Sequence, residues 1–296
     1  VPEWVYPDPN ISPSITDPIN VRDPAPNSVG SFYASPSRSP DEKTLYIGSL
    51  DGYVYAIRTD DGTRKWRYPE ATDTTHNLGE ISSTAAVGDY IYVAIGGVGS
   101  GFPYDTSGRV VALKDNGGSA SPEWWYPSSP ETSYINRGEF MYSSPLLITR
   151  PGDADPSIYV GSTDGYFYGM NAKDGTELQN RYEGILPWNP TNLTDIINSS
   201  PAGTLIQPGF VRRGTMAPSV DRVPYALVGS DNNALYGIDL RDGYKDWFWN
   251  MLGPVFASPI IAKERVYAAD CAGYTWAFTS RPGAEGGGGG EEWNPE

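Results

Sequence analysis

The side chains that do most enzymatic chemistry are scarce in this sequence. It holds one cysteine, Cys271, and one histidine, His76. A metal centre built from several imidazoles and thiolates is therefore excluded. His76 lies in the polar stretch ATDTTHNLGE near Asp73. The two could pair as a base and its orienter, but no nucleophile stands at a supporting spacing, so a surface loop is expected. Cys271 can form no disulfide within the chain and falls in a turn between two apolar runs, where a bystander thiol is expected. Asp51, Asp164, Asp174 and Asp242 each precede a glycine. A Ca²⁺ loop needs an alternating run of oxygen ligands, which these stretches lack, so the four read as turn formers. Asn10, Asn192 and Asn198 head Asn-x-Ser/Thr sequons and are the glycosylation candidates of an exported chain. No catalytic residue, metal ligand or cofactor-binding residue emerges, and no cofactor is expected.

Charge narrows the partners. The 36 acidic residues outnumber the 21 basic ones, leaving a net charge of −15. Nucleic acid and anionic membrane surfaces both call for clustered Lys and Arg. The apolar runs fall far short of the roughly 20 residues that a membrane helix needs. The sequence starts at Val1 with no leader pattern, which reads as a mature exported chain, extracellular or on the cell surface.

The elements that carry these residues are repeats. Leu45–Pro69, LYIGSLDGYVYAIRTDDGTRKWRYP, reads as three short strands joined by turns at Asp51-Gly52 and Asp60-Asp61-Gly62. It aligns without a gap with Ile158–Tyr182 and Ala226–Asn250. Gly48, Gly161 and Gly229 then correspond, as do Ser49, Ser162 and Ser230, and Tyr55, Tyr168 and Tyr236. Diverged copies follow at Ile91–Asp115 and Val266–Ser280. A small-residue signature precedes each copy: Ala34-Ser35-Pro36, Ser82-Ser83-Thr84, Ser143-Ser144-Pro145, Ser199-Ser200-Pro201 and Ala257-Ser258-Pro259. Proline within a strand marks an edge, so each signature opens an inner strand. Five four-stranded units at this period specify an all-β fold, a single five-bladed β-propeller. Its blades run over about 29–69, 80–127, 140–183, 197–250 and 255–280.

The outer strands carry tryptophan at Trp66, at Trp124 or its neighbour Trp125, and at Trp247; the third copy has Gln179 there. The fifth copy runs into glycines and lacks an outer strand. Val1–Pro7, VPEWVYP, closely resembles Ser121–Pro127, SPEWWYP. It is expected to close the ring as that strand, with Trp4 in the tryptophan position. Residues 281–296 form a Gly-rich tail ending in a second such segment, EEWNPE.

The spacing Ala56, Arg58, Gly62, Trp66, repeated as Gly237, Asp239, Gly243, Trp247, resembles the tryptophan-docking repeat of the pyrroloquinoline-quinone-type (quinoprotein-like) β-propellers. The third copy keeps Gly169, Asn171 and Gly175. The resemblance implies that Trp66, Trp124, Trp247 and Trp4 lie against neighbouring blades. It also raises a quinone-dependent dehydrogenase. In those enzymes the quinone sits by adjacent cysteines, a Ca²⁺ and a catalytic Asp, and adjacent cysteines are impossible where Cys271 stands alone.

A non-enzymatic function follows: an exported structural or interaction propeller. With two outer-strand segments and one vacancy, the expected partner is a second copy, joined head to tail into an extracellular or cell-surface polymer through Trp4, Tyr6, Glu291, Glu292 and Trp293. One alternative is a monomeric scaffold or adaptor of the cell envelope, similar to the propeller lipoproteins that scaffold outer-membrane assembly. Another is glycan binding by the aromatic loops Trp124-Trp125-Tyr126 or Trp247-Phe248-Trp249.

Overall fold

The computed structural model describes residues 32–70, 78–83, 85–96, 108–128, 138–140, 142–150, 152–178, 191–206, 223–262 and 265–279. Among them every regular element is a strand, and none is a helix able to cross a membrane. The chain divides into two compact units, Val1–Met141 and Tyr142–Glu296.

The first unit holds two antiparallel four-stranded sheets. Sheet 1 is β1 (Ser37–Arg38), β2 (Thr44–Gly48), β3 (Val54–Arg58) and β4 (Arg64–Tyr68), paired in chain order. Sheet 2 is β5 (Ala86–Val87), β6 (Ile91–Ile95), β7 (Arg109–Asp115) and β8 (Ala120–Tyr126). Both faces of the middle strands are covered, so β6 is buried at every position and reads IYVAI without polar alternation. One core, with Tyr46, Val54 and Trp66 from sheet 1 and Val93, Val111 and Leu113 from sheet 2, fills the space between them.

The second unit holds three sheets. Sheet 3 is β9 (Leu146–Ile148), β10 (Ser157–Gly161), β11 (Tyr166–Asn171) and β12 (Thr191–Asn192). Sheet 4 is β13 (Ala202–Ile206), β14 (Val223–Ser230), β15 (Ala234–Asp239) and β16 (Tyr244–Asn250). Sheet 5 has three described strands, β17 (Ile260–Ala262), β18 (Arg265–Ala269) and β19 (Thr275–Thr279). Separate apolar cores join sheets 3 and 4 through Phe167, Ile197 and Val228, and sheets 4 and 5 through Leu235, Val255 and Phe278.

The aligned repeats are therefore successive antiparallel sheets. Their second-to-third-strand turn demands a positive φ, met by Gly52 (82°), Gly165 (82°) and Gly273 (92°), and by Asn233 (66°) in the copy without glycine. Trp66, Trp124 and Trp247 pair opposite Ala56, Ala112 and Gly237, and the register shifts immediately after that pair in all three sheets. The third copy departs from expectation. Its outer strand is Thr191–Asn192, beyond residue 183, and in the described part of the aligned stretch Glu177 bridges Met170 and the Leu178 amide donates to the Gly169 carbonyl (3.2 Å). Gln179 stands where the first, second and fourth copies carry tryptophan. The closing segment 1–7 and the tail 281–296 lie outside the described residues.

Candidate interaction surface

Some acidic and aromatic groups of the repeats join neighbouring sheets. In the first unit the centre is Asp115, at the end of β7. Its Oδ2 accepts from Tyr46 Oη (2.8 Å) and Lys65 Nζ (2.8 Å) of sheet 1. Its Oδ1 accepts from the Trp66 indole N–H (3.0 Å) and from the Gly117 amide (2.8 Å). Burial pushes the Asp115 carboxyl up, but the Lys65, Gly117, Tyr46 and Trp66 donors outweigh it and hold the group below the ordinary aspartate value. Burial first, and then Asp115, push the Tyr46 phenol far above its usual range. An open groove of about 450 Å³ lies along this seam, with Asp41, Lys65, Tyr90, Lys114 and Asp115 on its walls. Its charges are mixed, and Lys65 is paired with Asp115 at 2.8 Å.

The sheet 3 to sheet 4 seam is built differently. Arg150, fully buried, donates to Asp153 (2.6 Å) and to the Leu240 carbonyl (3.3 Å), and Tyr159 Oη donates to the same carbonyl (3.2 Å). The small-residue signatures form a second seam. Ser143 Oγ donates to the Ser199 carbonyl (3.0 Å), and Ser199 Oγ to that of Ala257 (3.2 Å). The amides of Ser144 and Ser200 donate to the hydroxyls of Ser200 (2.9 Å) and Ser258 (3.2 Å).

One end of the second unit is a continuous surface of alternating turns and inter-sheet linkers. The Ile197 amide donates to the Ser162 carbonyl (3.1 Å), Asp231 to Ile196 (2.9 Å), Val255 to Ser230 (3.1 Å) and Cys271 to Pro254 (2.9 Å). Close approach makes this possible. A Cβ on Gly161 would lie 2.2 Å from Ile197 Cγ2, and one on Gly229 2.4 Å from the Val255 carbonyl oxygen. The repeated Gly-Ser pairs are thus the seats on which the next linker rests.

The turn acids serve that architecture. Asp51 and Asp164 accept from Tyr55 Oη (2.8 Å) and Tyr168 Oη (2.6 Å), and Asn232 replaces them opposite Tyr236 Oη (2.6 Å). Asp174 accepts from the amide and hydroxyl of Thr176, and Asp242 from the Tyr244 amide. Asn192 is exposed in β12, and its side chain accepts from the Thr194 amide (2.7 Å). Asn198 donates to both oxygens of Asp231 at 3.3 Å, so its amide is already engaged. Cys271 is exposed. Trp4, Tyr6, Asn10, Asp73, His76, Glu291, Glu292 and Trp293 lie outside the described residues.

The two aromatic triplets are strand segments, not loops. In β8 Trp124 and Tyr126 are buried, and Trp125 lies under the Arg109 guanidinium at 6.0 Å. In β16 Trp249 meets Phe278 edge-on at 6.1 Å. In β8 strand alternation sends Trp125 to the face opposite the buried Trp124 and Tyr126, so that triplet forms no flat platform for a sugar. Among the described residues no group of three or more His, Cys, Asp or Glu could hold a metal ion.

Residues 32–141 match the family model described as outer membrane protein assembly factor BamB. This stretch is thus similar to a pyrroloquinoline-quinone-type propeller repeat. No curated protein matches. Among solved structures the chain is similar to BamB from Moraxella catarrhalis, with a TM-score of 0.53 and 16% identity over 87% of this chain and 61% of that one. The chain thus spans about three fifths of that structure's length. At that identity the likeness shows the fold: the sheets are propeller-type blades. The expectation of a second copy joined head to tail is corrected, because the matched model is named for an assembly factor. Two spare-looking terminal segments suggested a polymer because sequence alone gives a strand-like segment no address.

Proposed function

We propose that this chain is a non-catalytic interaction propeller of the cell envelope, serving as a scaffold subunit in a heteromeric assembly. The observation that carries this is the match of residues 32–141 to the assembly-factor model. The chemistry of the chain agrees. Its described turn acids are occupied by backbone amides and tyrosine hydroxyls, and Cys271 has no adjacent cysteine to seat a quinone. What remains available is surface. In this reading the repeat tryptophans Trp66, Trp124 and Trp247, with Trp4, dock each blade on the next. The support is Trp66, which reaches from β4 to Asp115 of the following sheet.

The non-catalytic half is tested by titrating the chain with pyrroloquinoline quinone and Ca²⁺, then offering primary alcohols and an electron-accepting dye. No shift in quinone absorbance and no dye reduction above the protein-free control are expected. Stoichiometric quinone uptake with alcohol-dependent dye reduction would overturn it.

A further inference from the structure

Three exposed apolar side chains gather at the fifth-sheet end of the turn-and-linker surface: Leu252 (61% exposed), Phe256 (47%) and Tyr274 (54%). They belong to one place. The amides of Leu252, Ala272 and Tyr274 donate to the two oxygens of Asp270, at 3.2, 3.0 and 3.1 Å, and the Trp276 indole adds a fourth bond at 2.8 Å. The linker between them is pinned by the Cys271 amide on the Pro254 carbonyl (2.9 Å) and by Val255, buried over Gly229. With Val255 inward, Leu252 and Phe256 are held outward on a rigid support. Among the described residues nothing covers these three side chains. The corresponding position in the previous linker, Asn198, is polar and pairs with Asp231.

The charge around the patch has one sign. The stitched segments 162–166, 193–198, 230–234, 251–258 and 270–274 contain Asp164, Asp195, Asp231 and Asp270, and no Lys, Arg or His. Asp164 and Asp270 are consumed locally. Asp195 is exposed, and no described cation pairs with it or with Asp231. Burial, and then the charge of Asp195, push the Asp231 carboxyl above its ordinary value. A cation arriving there would relieve both carboxylates.

We propose that the Leu252–Phe256–Tyr274 patch docks a segment of a partner protein in which apolar side chains alternate with Lys or Arg. This rests on the scaffold reading and adds the partner's chemistry to it. The apolar rings supply the anchor, and the acidic surface selects the sign of the flanks.

The test is fluorescence anisotropy on the intact chain, with a labelled peptide alternating arginine and leucine. Arginine–serine and glutamate–leucine peptides of equal length are the comparisons. The arginine–leucine peptide is expected to bind at least about tenfold tighter than either. Leu252→Ser with Phe256→Ser, and separately Asp195→Asn with Asp231→Asn, should each weaken it by about tenfold. Asp174→Asn, in a turn outside these segments, should change nothing. Equal binding of the arginine–serine peptide, or binding untouched by both double variants, overturns the proposal. So does patch-dependent binding of phosphatidylcholine vesicles with no peptide preference, which would make the ligand a lipid. If the Leu252/Phe256 double variant still enters the chain's native heteromeric complex at full yield, the patch fails while the scaffold reading stands.

Discussion

Trp66→Ala is expected to cost about 3–5 kcal/mol of folding stability, the range for losing a large buried aromatic side chain. The indole is 5% exposed, lies in the core between sheets 1 and 2, and donates to Asp115 across that seam. Trp66→Phe separates the two contributions. It keeps an apolar ring and removes the N–H. About 1.5 kcal/mol should be lost at neutral pH, the low end for a bond to a charged group because Asp115 is partly solvated. The pH dependence has a definite sign. The folded-state value of Asp115 is depressed below 3.8. Its contribution is therefore present above that unfolded-state value and lost as pH falls through the lower, folded one. The Trp66→Phe penalty should shrink below about pH 4, while most of the Trp66→Ala penalty, being apolar, should persist. Urea denaturation at neutral and acid pH reads both. A Trp66→Phe penalty that does not change with pH would mean the N–H···carboxylate bond does not join the two sheets.

Gly229→Ala is expected to destabilise by about 3 kcal/mol or more, at and beyond the usual overpacking range. The added Cβ would lie 2.3 Å from Val255 Cγ1 and 2.4 Å from the Val255 carbonyl oxygen, on a linker that must stay in place to bond Ser230. Gly48→Ala meets a softer obstacle: Ile81 Cγ2 at 2.2 Å, Ile81 Cβ at 2.9 Å and the carbonyl oxygen only at 3.6 Å. Ile81→Ala should therefore recover part of the Gly48→Ala loss, whereas Val255→Ala should recover little for Gly229→Ala, because the backbone contact remains. Gly118→Ala, with nothing within 4 Å of its new Cβ, serves as the reference and should stay within about 0.5 kcal/mol of the parent. A Gly229→Ala protein as stable as Gly118→Ala would remove the explanation for the repeated Gly-Ser pair.

The repeats were legible in the sequence because their constraints are local. A turn that needs positive φ, a strand that needs apolar alternation and a glycine that admits its neighbour all recur at fixed spacing. Gly48, Gly161 and Gly229 could be aligned without knowing what they touch. The Asp115 centre could not be read. It stands one residue beyond the position aligned with Arg58 and Asp239, and its side-chain donors come from Tyr46, Lys65 and Trp66, 69 to 49 residues earlier. The third sheet's outer strand was misplaced for a related reason: Thr191–Asn192 is too short to carry a pattern, and its place is set by pairing to β11. Leu252, Phe256 and Tyr274 gave no signal at all. Exposure is a tertiary property, and an apolar residue in a linker reads as core until the fold turns it outward.

The most direct measurement is the composition and mass of the native particle containing this chain, isolated from its own cell envelope under mild crosslinking. A scaffold subunit predicts a discrete particle heavier than the 32.2 kDa of this chain, holding at least one different protein in fixed ratio to it. A particle made only of copies of this chain, or this chain always alone, would contradict the heteromeric scaffold.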